Sequence, residues 1–452
     1  MDKKLSFSSY LLVGSMLFGL FFGAGNLIFP VHMGQEAGAN TWLATAGFLI
    51  TAIGLPFLGV IAIGASGSNG LFDLASRVHP IYGYLITIAL YLTIGPFFAL
   101  PRTATVSFEI GATPFIPEQY RTLGLAVFTI LFYLVALFFS LRPNQLMVWV
   151  GKVLNPMFLV FLAILIIASV LQPMGVVSGL PVTENYQENP FSKGFIEGYN
   201  TMDALAALAF GIIVVNSLKE LGVHSPKGIA WGTVRSGAVS ILLMGTIYAC
   251  LAYVGASSTG QFAVSENGGI ALAQVAQYYF GFWGSILLAF IVTVACLKTA
   301  IGLITACAQT FCALFPNRLN YQIYTVLFTV LSCLVANVGL TQIIALSIPV
   351  LMFLYPLAIA LITLGLLSPL FQNSRYVYLT ATLFTLFASI GDFLQALPQS
   401  VQALTWVQGV LGFYQQYIPL FSIGMGWIVP LLVGMVVGFV LFLSIGRKAK
   451  TA

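Results

Sequence analysis

Two glycines and an asparagine stand in the middle of an apolar run. Phe18 to Pro30 reads FGLFFGAGNLIFP, with Gly23-Ala24-Gly25-Asn26 at its centre. Inside a bilayer every backbone N–H and C=O needs a partner, so such a stretch is tolerated only where the loosened chain faces protein or a polar cavity. We read it as a helix broken at these residues, its free ends open to a ligand. The alternative is an unbroken helix whose glycines let a neighbour pack closely. A second apolar segment opens on Tyr199-Asn200-Thr201-Met202-Asp203 and continues as Ala206-Ala207-Leu208-Ala209-Phe210-Gly211, so that Phe210-Gly211 stands where Phe22-Gly23 stands in the first. A matching break is expected over 207–211. Arg102, Glu109, Asp203 and Lys298 fall at or near membrane depth, where ionisable groups are functional candidates by default.

A break at Gly23 to Asn26 would leave a helix N-terminus at mid-membrane, with about half a positive charge and unpaired N–H groups. A carboxylate fits there. Carbonyls ending the first half-helix near Phe22, and those near Ala207 and Leu208, would offer the opposite sign to an ammonium. A zwitterion thus finds complementary dipoles without any charged side chain. The surrounding walls, Phe18, Phe21, Phe22, Phe29, Phe210 and Ile212, are apolar. A branched aliphatic group gains about 0.8 kcal/mol per buried CH₂ in such a pocket. One methylene separates related ligands by only about 1–3 kcal/mol, so broad acceptance is expected. Arg102 and Glu109 are seven apart on one helix face, and with Asp203 they suggest an outer gate in which Arg102 pairs with Asp203 or Glu109. The alternative for all three is a contact that merely completes buried packing or meets headgroup water.

The elements that must hold these residues are transmembrane helices. Of 452 residues, 59% are hydrophobic and 6% charged, against about 25% charged in soluble domains. Twelve stretches are long and apolar enough to span, near 9–30, 42–64, 81–106, 122–140, 146–171, 198–218, 231–256, 281–311, 321–338, 342–367, 376–396 and 420–445. The fold class expected is an all-α polytopic membrane protein with 12 transmembrane helices. Residues 1–171 would form one five-helix repeat, 172–197 an outer loop, 198–367 a second and inverted repeat, and 368–452 two further helices with a basic tail. Cytoplasmic loops are rich in Lys and Arg. With both termini inside, that side collects Lys3, Lys4, Arg142, Lys152, Arg318, Arg375 and the tail Arg447-Lys448-Ala449-Lys450.

Other classes lack their residues. A membrane enzyme would need paired acids or His-rich motifs at an interface, and the acids here are single and scattered. A channel would repeat a pore motif by symmetry. The five cysteines show no paired spacing, and His32, His79 and His224 sit outside the expected spans with no shared ligand spacing. The expected partners are the lipid bilayer and a small zwitterion, with no nucleic acid, no cofactor and no structural metal.

The run FFGAGNLIFP with Gly34 and Gly38 after it, GPFFALPRTATVSFEIG at 95–111, TMDALAALAFGIIVVN at 201–216, TAIGLITACA at 299–308 and SIPVLMFLYP at 347–356 resemble the bacterial branched-chain amino acid:cation symporters, the BrnQ-type carriers. That resemblance implies uptake of leucine, isoleucine and valine across the bacterial cytoplasmic membrane, coupled to Na⁺ or H⁺, on a LeuT-like fold. It also implies a cation site with the backbone of Gly19 and Phe22 opposite Ala295, Lys298 and Thr299, and it matches Asn26 to a sodium-ligating asparagine beside the substrate.

Lys298 departs from the family pattern, in which a small or hydroxyl residue is expected. A lysine at mid-helix costs roughly 2.5–3.5 kcal/mol on insertion. Its ammonium cannot ligate Na⁺ and would fill the space and charge of the ion. Either it cycles protons or it tethers the two helices permanently, making transport sodium-independent. The alternative is a buried pairing with no role in coupling.

Overall fold

A helix interrupted by glycine has to stop bonding along its own axis, and the first segment does so at Phe22. The computed structural model describes residues 5–23, 25–141 and 155–446. Ala24 and the basic residues Lys3, Lys4, Arg142, Lys152, Arg447, Lys448 and Lys450 lie outside the described residues. Helix α1 (Phe7–Phe21) starts on Ser6, whose hydroxyl accepts the Ser9 N–H at 3.2 Å, and ends on Phe22 in extended conformation (φ −78°, ψ 97°). Helix α2 (Gly25–Ala37) begins three residues later. The interruption therefore opens at Phe22 and ends by Gly25, slightly ahead of the expected 23–26.

The chain continues through α3 (Thr41–Leu49), a π turn at Ile50–Gly54, α4 (Leu55–Ala65), α5 (Leu71–Ser76) and α6 (Pro80–Leu92). A kink at Gly95 and Pro96 leads into α7 (Ala99–Gly111). Then come α8 (Arg121–Ser140), α9 (Asn155–Leu171), α10 (Pro190–Glu197), α11 (Asp203–Glu220), α12 (Pro226–Ser258) and α13 (Gly268–Leu314), the last bent at Gly281. The C-terminal elements are α14 (Tyr321–Ala336), α15 (Leu340–Leu367), α16 (Arg375–Gln395), α17 (Gln399–Gln402), α18 (Thr405–Tyr417) and α19 (Ile428–Leu441).

All twelve expected stretches contain helix, but among the described residues length and composition alone do not establish twelve crossings. Seven described helices qualify, or eight when the bent pair Pro190–Thr201 and Asp203–Glu220 counts as one span. Four apolar helices, Phe7–Gly19, Leu159–Leu171, Tyr321–Ala336 and Ile428–Ser444, are shorter. At 1.5 Å per residue a helix of about 16 residues reaches about 24 Å, short of a hydrocarbon core of about 30 Å. His32, expected outside the spans, lies inside α2 with its Nε2 3.0 Å from the Ser265 carbonyl oxygen.

The second interruption is real but misplaced by the sequence reading. Helix α11 runs unbroken from Asp203 to Glu220, so Ala207, Leu208, Phe210 and Gly211 are ordinary helical residues. The break falls instead at Met202, left-handed at φ 60°, ψ 11°, between a 3₁₀ turn at Gly198–Thr201 and α11, and the flanking helices bend by 48°. The cause is local. Thr201 Oγ1 donates to Gly198 O at 2.9 Å and accepts the Asp203 N–H at 3.3 Å, closing one turn and capping the next. Asp203 then places an acid in the first turn of α11, where the helix dipole favours it.

Small residues set the helix spacing, as expected where lipid supplies no hydrophobic drive between helices. Helix α12 lies along α2 with backbone against backbone: a Cβ on Gly255 would strike the Val31 main chain, and one on Gly34 the Ala252 main chain. Ala207 and Gly211 serve the contact of α11 with α4. The Ala207 Cβ lies 3.1 Å from where a Gly59 Cβ would stand, and a Gly211 Cβ would sit 3.4 Å from Val60 Cα.

Overpacking a tight contact costs about 1–3 kcal/mol. Gly255→Val should therefore lower the melting temperature of the detergent-solubilised protein clearly. Gly302→Ala, where a Cβ meets nothing within 4 Å, should leave it close to wild type. Equal melting temperatures for all three proteins would show that the α2–α12 contact is not tight.

Candidate functional site

Where α1 stops and α2 starts, the freed backbone is met by Asn26. Its Oδ1 accepts the Gly23 N–H at 3.2 Å, while Nδ2 donates to Asp203 Oδ2 at 2.6 Å and to the Tyr248 hydroxyl. One amide thus ties the first interruption to the first turn of α11 and to the middle of α12. Asn26 is 2% exposed and Asp203 4%. Tyr248 is fixed by the Phe22 ring at 6.3 Å and the Phe48 ring at 5.8 Å between centroids.

Asn26 and Asp203 both line one cavity between the two interruptions. Gly23, Gly25 and Asn26 line it from the first interruption, Met202 and Asp203 from the second, and Phe210 from farther along α11. Thr299 of α13 closes it near Gly23: a Cβ on that glycine would lie 3.5 Å from Thr299 Cγ2.

Arg102 also lines the cavity, and it is only 3% exposed. Nη1 donates to Asn200 O at 2.7 Å, Nη2 donates to Ser347 Oγ, and the guanidinium stands 5.1 Å from the Phe29 ring centre. Its Nε has no hydrogen-bond partner. The gate pairings expected for Arg102 are not formed. Among the described residues the only ion pair within 4.0 Å is Arg121 with Glu118, at 3.9 Å. The Asn200 carbonyl, set free where the 3₁₀ turn ends at Met202, takes the guanidinium instead. Glu109 is two turns along α7, where Thr113 Oγ1 donates to its Oε2 at 3.5 Å. The cavity consequently carries a guanidinium and a carboxyl group that do not pair with each other, where the expectation was of dipoles alone facing a ligand.

The remaining expected residues divide between two places. Ala207, Leu208 and Gly211 are buried off the cavity. Phe22 stacks on Phe18 at 4.9 Å beside it. Gly19 and Lys298 do face each other across α1 and α13: a Cβ on Gly19 would be 3.9 Å from Lys298 Nζ. The Thr299 hydroxyl donates to Ala295 O at 3.2 Å. Ala24 lies outside the described residues. The reading missed Asn200, Thr201 and Thr103 as cavity walls; polar residues at 200, 201 and 203 ahead of an apolar helix were the available signal.

Two helices interrupted beside one polar cavity in a polytopic helical chain define, as a class, a membrane transporter. Residues 6–444 match the family described as branched-chain amino acid transport protein, and the chain belongs to that family. It is 48% identical to the branched-chain amino acid permease BrnQ of Lactobacillus delbrueckii subsp. lactis, with 96% of each chain covered. It is 45% identical to BrnQ of Bacillus subtilis (strain 168), with 98% of each covered. These relatives are permeases, and the chain is a multi-pass transporter rather than an enzyme. Its fold is similar to that of Mhp1, a nucleobase-cation-symport-1 family transporter, at a TM-score of 0.57 for a closed conformation with bromovinylhydantoin bound (15% identity, 96% of this chain and 93% of that). For the inward facing conformation of Mhp1 the TM-score is 0.62 (16% identity, 96% and 91%). At such identities the likeness is one of fold alone, and the fold is LeuT-like.

Removing Asn26 strips a hydrogen bond from a buried carboxylate, a loss of about 1–3 kcal/mol. Asn26→Ala should lower the melting temperature, and Asn26→Asp, which sets two carboxylates in contact, should also lower it. A melting temperature unchanged in both variants would remove Asn26 as the tie between the interruptions.

Proposed function

We propose that this chain imports leucine, isoleucine and valine across the bacterial cytoplasmic membrane by alternating access. The substrate carboxylate meets the N-terminus of α2 together with Arg102, and the ammonium meets Asp203 and the carbonyls ending α1. One observation carries the reading: Arg102 and Asp203 share a cavity without pairing, while Phe21, Ile94, Phe210 and Leu303 give it an apolar side. A zwitterion with an aliphatic side chain supplies what both halves lack. The names of the relatives support the same substrate class.

The arrangement we propose has twelve spans in two inverted five-helix repeats plus two helices, the short apolar helices completing the count, with both termini cytoplasmic. The likeness to Mhp1 and the paired interruptions support it. For coupling, the Lys298 ammonium beside Gly19 takes the place of a sodium ion between α1 and α13, so that import is driven by protons or runs without sodium. The oxygen donors Asn26 and Thr299 favour a second reading, a sodium-coupled carrier for these or other small apolar amino acids such as alanine and methionine.

Uptake of labelled isoleucine by the purified protein in vesicles separates these. Unlabelled leucine and valine should compete about as well as isoleucine, and alanine and methionine more weakly. Equal competition by alanine would overturn the branched-chain assignment. Arg102→Gln should weaken isoleucine binding by about ten- to a hundredfold, the loss of one or two charged hydrogen bonds at about 1.5–3 kcal/mol; unchanged affinity would take Arg102 out of the site. Lys298→Thr should create sodium stimulation that wild type lacks. Strong sodium stimulation of the wild type with no response to a pH gradient would reject the replacement of sodium by lysine.

A further inference from the structure

The C-terminal helices hold a carboxylate that the cavity does not use. Asp392 lies on α16 one turn from its end at Gln395, fully buried. Both Oδ1 and Oδ2 lack a hydrogen-bond partner. Its surroundings are aromatic. Tyr414 of α18 packs on the adjacent Gly391, where a Cβ would stand 2.5 Å from its ring, and the Asp392 charge would also act on Tyr199 of the 3₁₀ turn, beside the Trp427 indole just ahead of α19. Neither donates to the carboxylate. From α15 comes Tyr355, stacked on Tyr199 at 4.0 Å between ring centres. The charged residue on its own helix, Arg375, stands at the opposite end. Among the described residues no lysine, arginine or histidine lies within ion-pair distance of Asp392.

An ionised carboxylate cut off from water and from every donor is far more costly than a neutral carboxylic acid in the same place. A carboxyl group in such a place can exist in a neutral and a charged form that differ strongly in the donors they attract. Its position supplies the use. Tyr199 precedes Asn200, whose carbonyl holds Arg102, and Thr201, which closes the turn before Met202. Ionisation of Asp392 would draw the Tyr199 hydroxyl and the Trp427 N–H toward the carboxylate, and the 198–201 turn would move with Tyr199.

We infer that Asp392 is a proton-binding site, separate from the cavity, whose occupancy sets the position of the 198–201 turn and thereby couples a proton to the cavity. One proton is bound at an Asp392 carboxyl oxygen in the arrangement seen here and is released as the turn shifts. Phenols ordinarily titrate at about 10, so Tyr199, Tyr355 and Tyr414, which face it, do not account for titration at lower pH. The site itself does not rest on the proposed substrate; only its effect on uptake does.

The test uses the full chain in lipid vesicles and two readouts. Infrared difference spectra from about pH 5 to about pH 9, a span between the ordinary carboxylate and phenol ranges, should show a protonated-carboxyl C=O band that disappears on raising the pH and is missing in Asp392→Asn. Isoleucine affinity should fall about tenfold over the same range in the wild type, within the usual scale of coupling between sites, and stay flat in Asp392→Asn. A titrating band that is undiminished in Asp392→Asn relative to wild type, or a variant that keeps the wild-type pH dependence, overturns the inference. If Asp392→Asn does not fold, Asp392→Glu replaces it: a band that shifts supports the site, and an unshifted band refutes it. A titrating Asp392 band in a protein that takes up no isoleucine would sink the transport reading while leaving the proton site standing.

Discussion

Backbone groups released where a helix is interrupted cannot turn to water inside a bilayer, and their satisfaction governs the centre of this protein. At Phe22 and Gly23 the answer is the Asn26 side chain, whose oxygen takes the Gly23 N–H while its nitrogen reaches Asp203 and Tyr248. At Met202 the answer is Thr201 on one side and Arg102 on the other. Each interruption is held by a side chain that also faces the cavity. The geometry of the two breaks and of the cavity is therefore one structure, and a ligand that enters competes for hydrogen bonds already in use.

That economy has an energetic reason. A guanidinium and a carboxylate buried without each other are expensive unless other donors and acceptors compensate. Arg102 has Asn200 O, Ser347 Oγ and the face of Phe29; Asp203 has Asn26 and sits in the first turn of α11. Each charge is supported but kept from the other. Both groups therefore line the cavity without pairing. The glycine contacts of α2 with α12, and of α11 with α4, bring the supporting helices close enough for short side chains to span the gaps.

Much of this was legible in the residues. The break in the first segment, the all-helical character and the neighbourhood of Gly19 and Lys298 follow from glycine, from composition and from the resemblance. The second break was placed wrongly because residue types were matched across the halves. Phe210-Gly211 looks like Phe22-Gly23, yet a glycine inside an apolar helix serves packing as readily as it serves a break, and Gly211 packs on Val60. What interrupts the chain is Met202, a residue with no special taste for the left-handed region, held there by a threonine that closes the preceding turn. No period or propensity reports that. The role of Arg102 was similarly hidden, since its partner is a backbone carbonyl whose freedom depends on the misplaced break.

The central claim is that the two interruptions, with Arg102 and Asp203, hold the two charged ends of one amino acid. Determining the structure with isoleucine bound tests it most directly. The substrate carboxylate should lie within hydrogen-bond reach of the Gly25 end of α2 and of Arg102, with the ammonium at Asp203. Isoleucine seated away from both interruptions, or touching neither Arg102 nor Asp203, would contradict it.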